Sequence, residues 1–239
     1  MIKLTSIQIR CFLAVSPLAM LYLIFSCTNG ADLEETVSIG RDSYKVKWLF
    51  NEPFDDQWQK NWIVEGDSLS VYAEARKLYV DDYKGATIWN MNEFPKNLLI
   101  RFKVKGKARL NNRTNFNLIT HARSIDGDSL SIGSESGRKG QYKLYHIFPN
   151  YLVTFVDRWT RTRKNPGFNL LNDVAKGSVI DSVYKISFTV SEGRLRYYVN
   201  GEKVHDIQDD APLGGGKVGI RTWNTRAYWY DVEIGEIID

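Results

Sequence analysis

The sequence predicts an all-β domain whose antiparallel strands form a two-sheet sandwich. Apolar and polar residues alternate over many short segments, and no long segment has the 3.6-residue period of a helix. Gly, Asn and Asp residues separate these segments, as in chains that turn often between short strands. The chain has 239 residues, of which 43% are hydrophobic, and this is enough for one sizeable core in a single domain.

The clearest strand covers residues 99–110. Ile100, Phe102 and Val104 fall on one face of this strand, and the basic side chains from Arg101 to Arg109 fall on the other. The apolar face predicts a side that packs in the core. The basic face has two interpretations, which are a surface for a polyanion and a face that is simply solvated.

Connections between strands are visible in the second half of the chain. Asn200-Gly201 predicts a two-residue hairpin turn, because both central positions of such a turn need a positive φ. Residues 165–179, which contain Pro166 and Gly167, are predicted to be a loop between strands.

Residues 1–26 have the features of a signal peptide. Lys3 and Arg10 precede an apolar run that Pro17 interrupts, and the run is too short for a convincing membrane span. A small residue and Cys27 follow the run, so Cys27 is predicted to be the lipid anchor of a bacterial lipoprotein. An ordinary secretory signal followed by a chance cysteine is the alternative.

The rest of the chain divides into a predicted polar tether, residues 27–43, and a predicted folded domain, residues 44–239. Acylation of Cys27 would leave no thiol pair for a disulfide or a thiolate metal site. The formal net charge of +4 does not support a strongly basic nucleic-acid binder. We therefore expect the protein to contact a membrane only through its lipid anchor, and we expect no binding of nucleic acid.

Candidate ligand-binding residues begin with the predicted strand 113–123. Asn115, Asn117 and His121 lie on one face of this strand, with an arginine at each end. Amide and guanidinium groups offer paired hydrogen bonds to sugar hydroxyls and carboxylates, so this face is interpreted as the floor of a sugar site. A solvated outer face would show the same pattern.

Residues 141–148 are predicted to form a second strand of the site, with Tyr142 and His146 on the same face. Imidazole is the usual general base near neutral pH, although a lone histidine is often structural. Tyr151 follows closely and is a further candidate for proton transfer. The surrounding segment 138–164 contains seven basic residues and one acid, which indicates an anionic ligand.

A basic aromatic segment completes this region. If the segment is extended, Trp159, Arg161 and Arg163 share a face and Arg158 lies on the opposite one. In the functional interpretation Arg158, Arg161 and Arg163, the clamp arginines, bind an anion, and the Trp159 ring stacks against a sugar. The alternative is a soluble edge strand, which commonly carries positive charge.

Two weaker signals remain. Arg221 and Trp223 share a strand face, which either lines the rim of a cleft or ends a core strand. Asp126, Asp128 and Glu135 lie in a Gly- and Ser-rich loop and are compatible with structural calcium, but their spacing matches no known calcium loop. No cofactor and no other metal site are predicted.

Five short motifs are spread over most of residues 50–236. They are Trp89 with Phe94-Pro95, Gly140 with His146, Arg163-Lys164-x-x-Gly167-Phe168-x-Leu170, Asn200-Gly201 and Gly216-Lys217-x-Gly219-x-Arg221. Together they resemble the YesU-like proteins of bacterial pectin-utilisation clusters, a jelly-roll family of the concanavalin A-like lectin and glucanase type. The resemblance implies two antiparallel sheets, the concave one carrying a carbohydrate cleft. It also implies work on plant or algal polysaccharides. The lipoprotein signal that ends at Cys27 agrees with outer-membrane systems that degrade glycans, so an outer-membrane lipoprotein on the cell surface or the periplasmic face is expected.

This set of side chains suits β-elimination on a uronate-containing oligosaccharide by a lyase or a dehydratase. A clamp arginine neutralises the uronate carboxylate, His146 or a tyrosine removes the C5 proton, and Tyr142 or Tyr151 protonates the group that leaves C4. An acidic oligosaccharide or polysaccharide is therefore the expected partner. Two alternatives stay open, namely a glycan-binding lipoprotein without turnover and a glycoside hydrolase whose carboxylates the sequence does not reveal. The sequence gives no signal for the oligomeric state.

Overall fold

The computed structural model describes residues 34–67, 69–108 and 113–238, which form an all-β sandwich of two antiparallel sheets, as predicted. The strands in these ranges are β1 (Glu34–Ile39), β2 (Asp42–Glu52), β3 (Trp62–Glu65), β4 (Leu69–Glu74), β5 (Lys77–Asp82), β6 (Ala86–Asn90), β7 (Leu98–Lys107), β8 (Asn115–Ala122), β9 (Asn150–Val156), β10 (Thr160–Asn165), β11 (Asn169–Val174), β12 (Val183–Ser191), β13 (Arg194–Val199), β14 (Glu202–Gln208), β15 (Lys217–Thr222) and β16 (Arg226–Ile237). Short 3-10 helices cover Trp58–Lys60, Gly133–Ser136 and Tyr142–Tyr145. No helix in the described part of the chain is long and apolar enough to span a membrane.

The two sheets differ in size. The order of the nine-stranded sheet is β1-β2-β16-β7-β12-β13-β14, with β5 also paired to β16 and β4 to β5. The order of the seven-stranded sheet is β11-β10-β9-β8-β15-β6-β3. Neighbours such as β8 and β15 are far apart in sequence, so the chain passes repeatedly between the sheets, as in a jelly roll.

Alternation along β7 places its apolar side chains as predicted. Ile100, Phe102 and Val104 are at most 4% exposed and belong to the core between the sheets. The basic residues on the other face are neutralised by acids of neighbouring segments, in the pairs Arg101–Glu233, Lys103–Asp231, Lys105–Asp181 and Lys107–Asp181. These ion pairs favour a solvated face over a surface for a polyanion. Arg109 lies outside the described residues.

The two predicted connections have different outcomes. Asn200 and Gly201 have φ angles of 53° and 81° and join β13 to β14, which confirms the hairpin turn. The predicted loop 165–179 is wrong in part, because β11 occupies Asn169–Val174 within it and pairs with β10. Pairing satisfies the backbone groups of this segment, and a short turn that contains Phe168 is left between the two strands.

The predicted tether, residues 27–43, is also wrong in part. β1 pairs with β2 as an antiparallel hairpin, and Val37 and Ile39 of β1 are buried. They pack against Leu99 and Tyr198 of the nine-stranded sheet, on the face opposite to the main core. Burial of two apolar side chains is enough to hold a short, otherwise polar hairpin on a sheet.

The remaining predictions for the N-terminal region are not tested by the structure. The signal peptide 1–26, the lipid anchor Cys27 and the tether up to residue 33 lie outside the described residues. The lipoprotein assignment therefore stays a prediction.

The segment 141–148 is not the predicted strand. Tyr142–Tyr145 is a 3-10 helix in the connection between β8 and β9, and this connection lies on the outer face of the seven-stranded sheet. Tyr145 and Phe148 pack there against Trp89 of β6. These contacts between distant residues determine the local backbone, and an alternating pattern in the sequence does not encode them.

Candidate functional site

A cavity of about 540 Å³ opens on the outer face of the seven-stranded sheet. Phe116 and Leu118 of β8 point into the core between the sheets, so the alternate residues of this strand point outwards, toward the cavity. The 3-10 helix at Tyr142 and the turn at Phe168 contribute to its walls. Eight predicted site residues line it together: Asn115, Asn117, Tyr142, Trp159, Arg161, Arg163, Arg221 and Trp223.

The floor of this cavity is a polar network. Thr154 Oγ1 donates a hydrogen bond to Asn117 Oδ1 at 2.8 Å, and Asn117 Nδ2 donates to Asn115 Oδ1 at 2.7 Å. Asn117 Nδ2 also lies 3.4 Å from the main-chain oxygen of Arg221. These bonds connect β8, β9 and β15, so the orientation of the floor amides is set by the sheet itself.

Two guanidinium groups are buried at this cavity without an ion-pair partner in the described ranges. Arg163 and Arg221 are 8% and 1% exposed. Arg221 Nη2 donates to the main-chain oxygen of Gly140 at 2.9 Å, but Nε of Arg221 and both Nε and Nη1 of Arg163 have no described hydrogen-bond partner. Burial lowers the pKa of each guanidinium. A buried charge with unsatisfied donors costs free energy, and an entering anion would offset that cost.

Arg161 differs from these two residues because it already has an anionic partner. Its Nε donates to Asp173 at 2.8 Å, and its Cζ lies 3.9 Å from the centre of the Trp159 ring. Arg161 therefore supports the Trp159 ring at the wall of the cavity. The remaining clamp arginine, Arg158, has a side chain that is 75% exposed and lies 3.9 Å from Asp157. It lines a smaller cavity of about 190 Å³ next to the first one.

The predicted proton-transfer pair comes together beside the cavity. The ring centres of Tyr142 and His146 are 4.4 Å apart with an interplanar angle of 87°, and the imidazole stacks on Phe168 at 3.9 Å. Tyr142 and Phe168 line the cavity and His146 does not, so the imidazole lies one layer behind them. Its Nε2 is buried and has no hydrogen-bond partner among the residues described.

His146 is neutral at physiological pH. Burial and the charges of Arg163 and Arg221 lower its pKa to about 4. A neutral imidazole with a free nitrogen is able to accept a proton. Its basicity is low while both guanidinium charges are uncompensated, and an anion bound to them would raise it.

Two predicted site residues lie elsewhere. Tyr151 is buried in the core between the sheets, where its hydroxyl donates to Asp209 at 2.6 Å. His121 is 1% exposed, lies edge-on to the Tyr151 ring at 5.2 Å and has its Nε2 at 2.9 Å from the main-chain oxygen of Lys96. The error for His121 has a physical cause, because its φ of 56° and a register shift between β8 and β15 form a bulge that re-aims its side chain.

One protein family, described as a domain of unknown function (DUF6250), matches residues 80–232 of the chain. The chain belongs to the DUF6250 family. The matched range contains every residue that lines the cavity. No curated protein matches this DUF6250 chain.

Solved structures similar to this DUF6250 protein share its sandwich. A Bacillus subtilis protein of unknown function with a galectin-like fold is 21% identical, with a TM-score of 0.71 over 82% of this chain and 99% of its own. The carbohydrate-binding module CBM66 from Bacillus subtilis is 12% identical, with a TM-score of 0.55 over 74% and 96%. A Bacillus licheniformis β-glucanase is 10% identical, with a TM-score of 0.53 over 79% and 98%. At these identities the likeness shows the fold, and it confirms the jelly-roll prediction.

Three further residues line the DUF6250 cavity, namely Lys143, Thr154 and Phe168. Phe168 occurs in one of the short motifs, but nothing in the sequence assigned it a role. Its φ of 59° places the backbone of a bulky residue in the left-handed region, and the residue is 37% exposed. This conformation brings the ring against both His146 and Arg163, which only the folded chain reveals.

A third buried arginine of this DUF6250 domain, Arg138, has a carboxylate as its hydrogen-bond partner. Arg138 donates to both carboxylate oxygens of Glu65, with Nη2 at 2.5 Å and Nε at 3.1 Å. The Tyr145 hydroxyl donates to the same carboxylate at 2.9 Å and accepts from Thr87 Oγ1 at 2.9 Å. This network fixes the 3-10 helix that carries Tyr142, so it supports the cavity wall without lining the cavity.

Acidic residues do not form a metal site in the described part of the DUF6250 chain. No group of three or more His, Cys, Asp or Glu side chains there is placed to bind a metal ion, and this covers Asp126, Asp128 and Glu135. Asp126 instead accepts hydrogen bonds from Ser124 and from the main chain of Asp128. Structural calcium stays a prediction without a described ligand cluster.

Proposed function

We propose that this DUF6250 protein binds the carboxylate of a uronate-containing oligosaccharide and eliminates the substituent at C4 of that sugar, as a lyase or a dehydratase. The observation that carries the proposal is the pair of buried guanidinium groups of Arg163 and Arg221 at one cavity, each with at least one N–H donor that no residue of the described ranges satisfies. A carboxylate satisfies such donors best, because its planar pair of oxygens matches the guanidinium geometry.

The other lining groups support a sugar as the carrier of that carboxylate. Trp159 and Trp223 offer aromatic faces for a sugar ring, and Asn115 and Asn117 offer amides for its hydroxyls. Two similar structures are a carbohydrate-binding module and a β-glucanase, which supports a carbohydrate ligand on this fold. The sequence motifs resemble those of YesU-like proteins, which supports an acidic polysaccharide such as pectin as its source.

The chemistry follows from the placement of the charges. Negative charge develops on the carboxylate when C5 loses its proton, and Arg163 and Arg221 stabilise it. Phe168 moves aside so that Nε2 of His146 reaches C5 and takes its proton, and the C5–H electron pair forms the C4=C5 double bond. The C4–O bond breaks at the same time, and Tyr142 gives a proton to the leaving oxygen. A glycosidic oxygen leaves as an alcohol in a lyase, and a hydroxyl leaves as water in a dehydratase.

Substrate binding itself improves the proposed base. His146 has a pKa of about 4 partly because Arg163 and Arg221 are positively charged nearby. The substrate carboxylate compensates these charges, so the pKa of His146 rises and the imidazole becomes a stronger proton acceptor. The base is therefore activated only when the acidic sugar is in place.

Hydrolysis by two carboxylates is less well supported. No Asp or Glu lines the cavity in the ranges that the structure describes, and Asp173 beside it is paired with Arg161. A glycosidase of the usual kind needs two acids on either side of the scissile bond. The lining is therefore better matched to elimination.

One observation favours a glycan-binding protein without turnover as the second candidate. His146 lies behind Tyr142 and Phe168 and does not line the cavity, so direct contact of Nε2 with substrate requires Phe168 to move. A pure binding site needs only the arginines, the amides and the tryptophans.

The experiment compares turnover and binding on saturated oligouronates of defined length. Turnover is followed by the near-ultraviolet absorbance of the unsaturated uronate, and binding by calorimetry, in wild type and in the Tyr142→Phe, His146→Ala and Arg163→Met variants. Absorbance that is lost in Tyr142→Phe and His146→Ala, with binding lost mainly in Arg163→Met, supports elimination. Arg194→Ala, which removes an exposed guanidinium from the nine-stranded sheet, is the matched control.

The other outcomes separate the candidates. Binding by wild type without absorbance supports the binding protein, and new reducing ends without absorbance support a hydrolase. Absence of both binding and turnover on every oligouronate overturns the proposal.

We also propose that the protein acts as an outer-membrane lipoprotein, on the cell surface or the periplasmic face, with Cys27 as its anchor. The apolar run before this cysteine supports the assignment. Incorporation of a labelled fatty acid into wild type, and its loss in Cys27→Ala, is the expected result. Equal labelling of both proteins, or no labelling of either, contradicts it.

A further inference from the structure

A second cavity adjoins the cavity at Arg163 and Arg221. The adjoining cavity of about 190 Å³ shares three lining residues with it, which are Asn115, Trp159 and Trp223. The shared lining residues place the two cavities side by side, within reach of one extended ligand. The two tryptophans stand at the boundary between them.

The second cavity lies where the strands of the floor end. Asn115 is the first residue of β8, and Asp157 and Arg158 form part of the turn from β9 to β10. Trp223 follows the last residue of β15 and is 46% exposed. An exposed tryptophan at such a boundary is suited to contact two successive sugar rings of one chain.

The second cavity is also cationic. Arg113 and Arg158 line it together with one acid, Asp157. Arg158 and Asp157 are 3.9 Å apart and the Arg158 side chain is 75% exposed, so this pair is weak. Arg113 forms no ion pair with an acid in the described ranges. The cavity thus has an excess of guanidinium donors over described acids.

We propose that the second cavity is a subsite for an anionic substituent on the neighbouring sugar of the same chain, a carboxylate or a sulfate ester. This inference rests on the proposed function of the first cavity, where the uronate carboxylate binds. Arg158 and Arg113 contact the second anion, and Trp159 and Trp223 pack against the linkage between the two sugars. The protein therefore selects chains that carry negative charge on consecutive residues, over chains in which acidic and neutral sugars alternate.

Four probes test the subsite on the full chain. They are a saturated monouronate, a homodiuronate, a uronate disaccharide with a neutral neighbouring sugar and one whose neighbouring sugar carries a sulfate ester. The dissociation constant of the disaccharide with a neutral neighbour is divided by that of each doubly charged disaccharide. A ratio above one means that the protein prefers the doubly charged chain. We expect wild type to prefer a doubly charged disaccharide about 10-fold, which corresponds to one added charge-assisted contact.

The variants assign this preference to the second cavity. Arg158→Ala together with Arg113→Ala should bring the ratio close to one, and Arg194→Ala should leave it as in wild type. Preference for the sulfated over the carboxylated neighbour identifies the substituent as a sulfate ester, and the reverse order identifies it as a carboxylate.

Two results overturn the subsite, namely equal affinity of wild type for charged and neutral neighbours, and a charge preference that persists in the double variant. Failure of the proposed function gives a different pattern. In that case the monouronate does not bind, or it binds equally well to wild type and Arg163→Met, whatever the neighbouring sugar.

Discussion

The guanidinium carbon of Arg163 lies 4.1 Å from the centre of the Phe168 ring. A cation over an aromatic face is stabilised by about 0.5–2 kcal/mol, but the ring does not accept the hydrogen bonds that the guanidinium offers. Nε and Nη1 of Arg163 accordingly have no partner in the described ranges. Phe168 thus holds the cation in a fixed position while its donors stay available for a ligand.

The first prediction concerns the cost of an unpaired buried cation. Arg163→Met should leave the free energy of unfolding unchanged or raise it, because it removes a buried charge without breaking an ion pair. The same variant should bind an oligouronate about 10- to 100-fold more weakly, since a hydrogen bond to a charged group contributes about 1.5–3 kcal/mol. Urea unfolding and calorimetric titration measure the two effects.

Arg138→Met is the matched control for that variant. It leaves the buried Glu65 carboxylate without its cation, so a loss of about 3–5 kcal/mol in the free energy of unfolding is expected. Equal destabilisation by the two substitutions would contradict the contrast between the unpaired and the paired arginine.

The second prediction concerns Phe168 as the cover of His146. Phe168→Ala should admit water to the imidazole, and because burial is the largest cause of its low pKa, the pKa of His146 should rise from about 4 toward its ordinary value of 6.5. NMR titration of the ring protons measures this shift. Leu170→Ala, in the neighbouring strand and 52% exposed, should leave the pKa near 4. An unchanged pKa in Phe168→Ala would show that Phe168 does not shield the ring.

The third prediction compares two tyrosines of one 3-10 helix. Tyr145→Phe removes the acceptor of the Thr87 hydroxyl and a donor to Glu65, so the free energy of unfolding should fall by about 1–3 kcal/mol. Tyr142→Phe should change it by less than about 0.5 kcal/mol, because this ring lines the cavity. Chemical denaturation of both variants measures the difference. A larger loss of unfolding free energy in Tyr142→Phe than in Tyr145→Phe would mean that the Glu65 network does not stabilise the helix.

The fourth prediction is a pH dependence of stability at His121. Burial lowers the pKa of this histidine to about 4, from an ordinary value of 6.5. Between these values the unfolded chain binds a proton that the folded chain does not, so the free energy of unfolding falls as pH falls, by about 1.4 kcal/mol per unit for this group. His121→Gln keeps a donor for the Lys96 oxygen but does not titrate. Its stability should decline less steeply than that of wild type from pH 6.5 to 4, and parallel curves would exclude the effect.

The fifth prediction tests whether β1 is part of the folded domain. Two shortened chains are compared, one that begins at Glu34 and one that begins at Asp42. The shorter chain lacks Val37 and Ile39, which are buried against the nine-stranded sheet. Loss of this apolar burial should lower the free energy of unfolding by about 3 kcal/mol. Denaturant titration of the two chains measures it. A passive tether would give the same midpoint for both.

Local patterns in the sequence are enough to predict the fold class and most of the residues that line the larger cavity. Period-two alternation depends only on which residues are adjacent along a strand, so the core side of β7 and the outward direction of Asn115 and Asn117 are readable from it. The Asn200-Gly201 turn is local for the same reason, since few residue pairs accept two positive φ angles. The excess of arginines near residue 160 predicts an anionic ligand, and this stays a prediction.

Contacts between distant strands determine which of these residues meet and which already have hydrogen-bond partners. A one-residue bulge turned His121 into the interior, and packing on the seven-stranded sheet made a 3-10 helix of a segment that alternates. Arg161 and Arg163 look equivalent in sequence, yet Arg161 has a carboxylate partner and Arg163 has none among the residues that the structure describes. Whether a buried cation is paired depends on residues brought in by other strands, and this information is not contained in any local pattern.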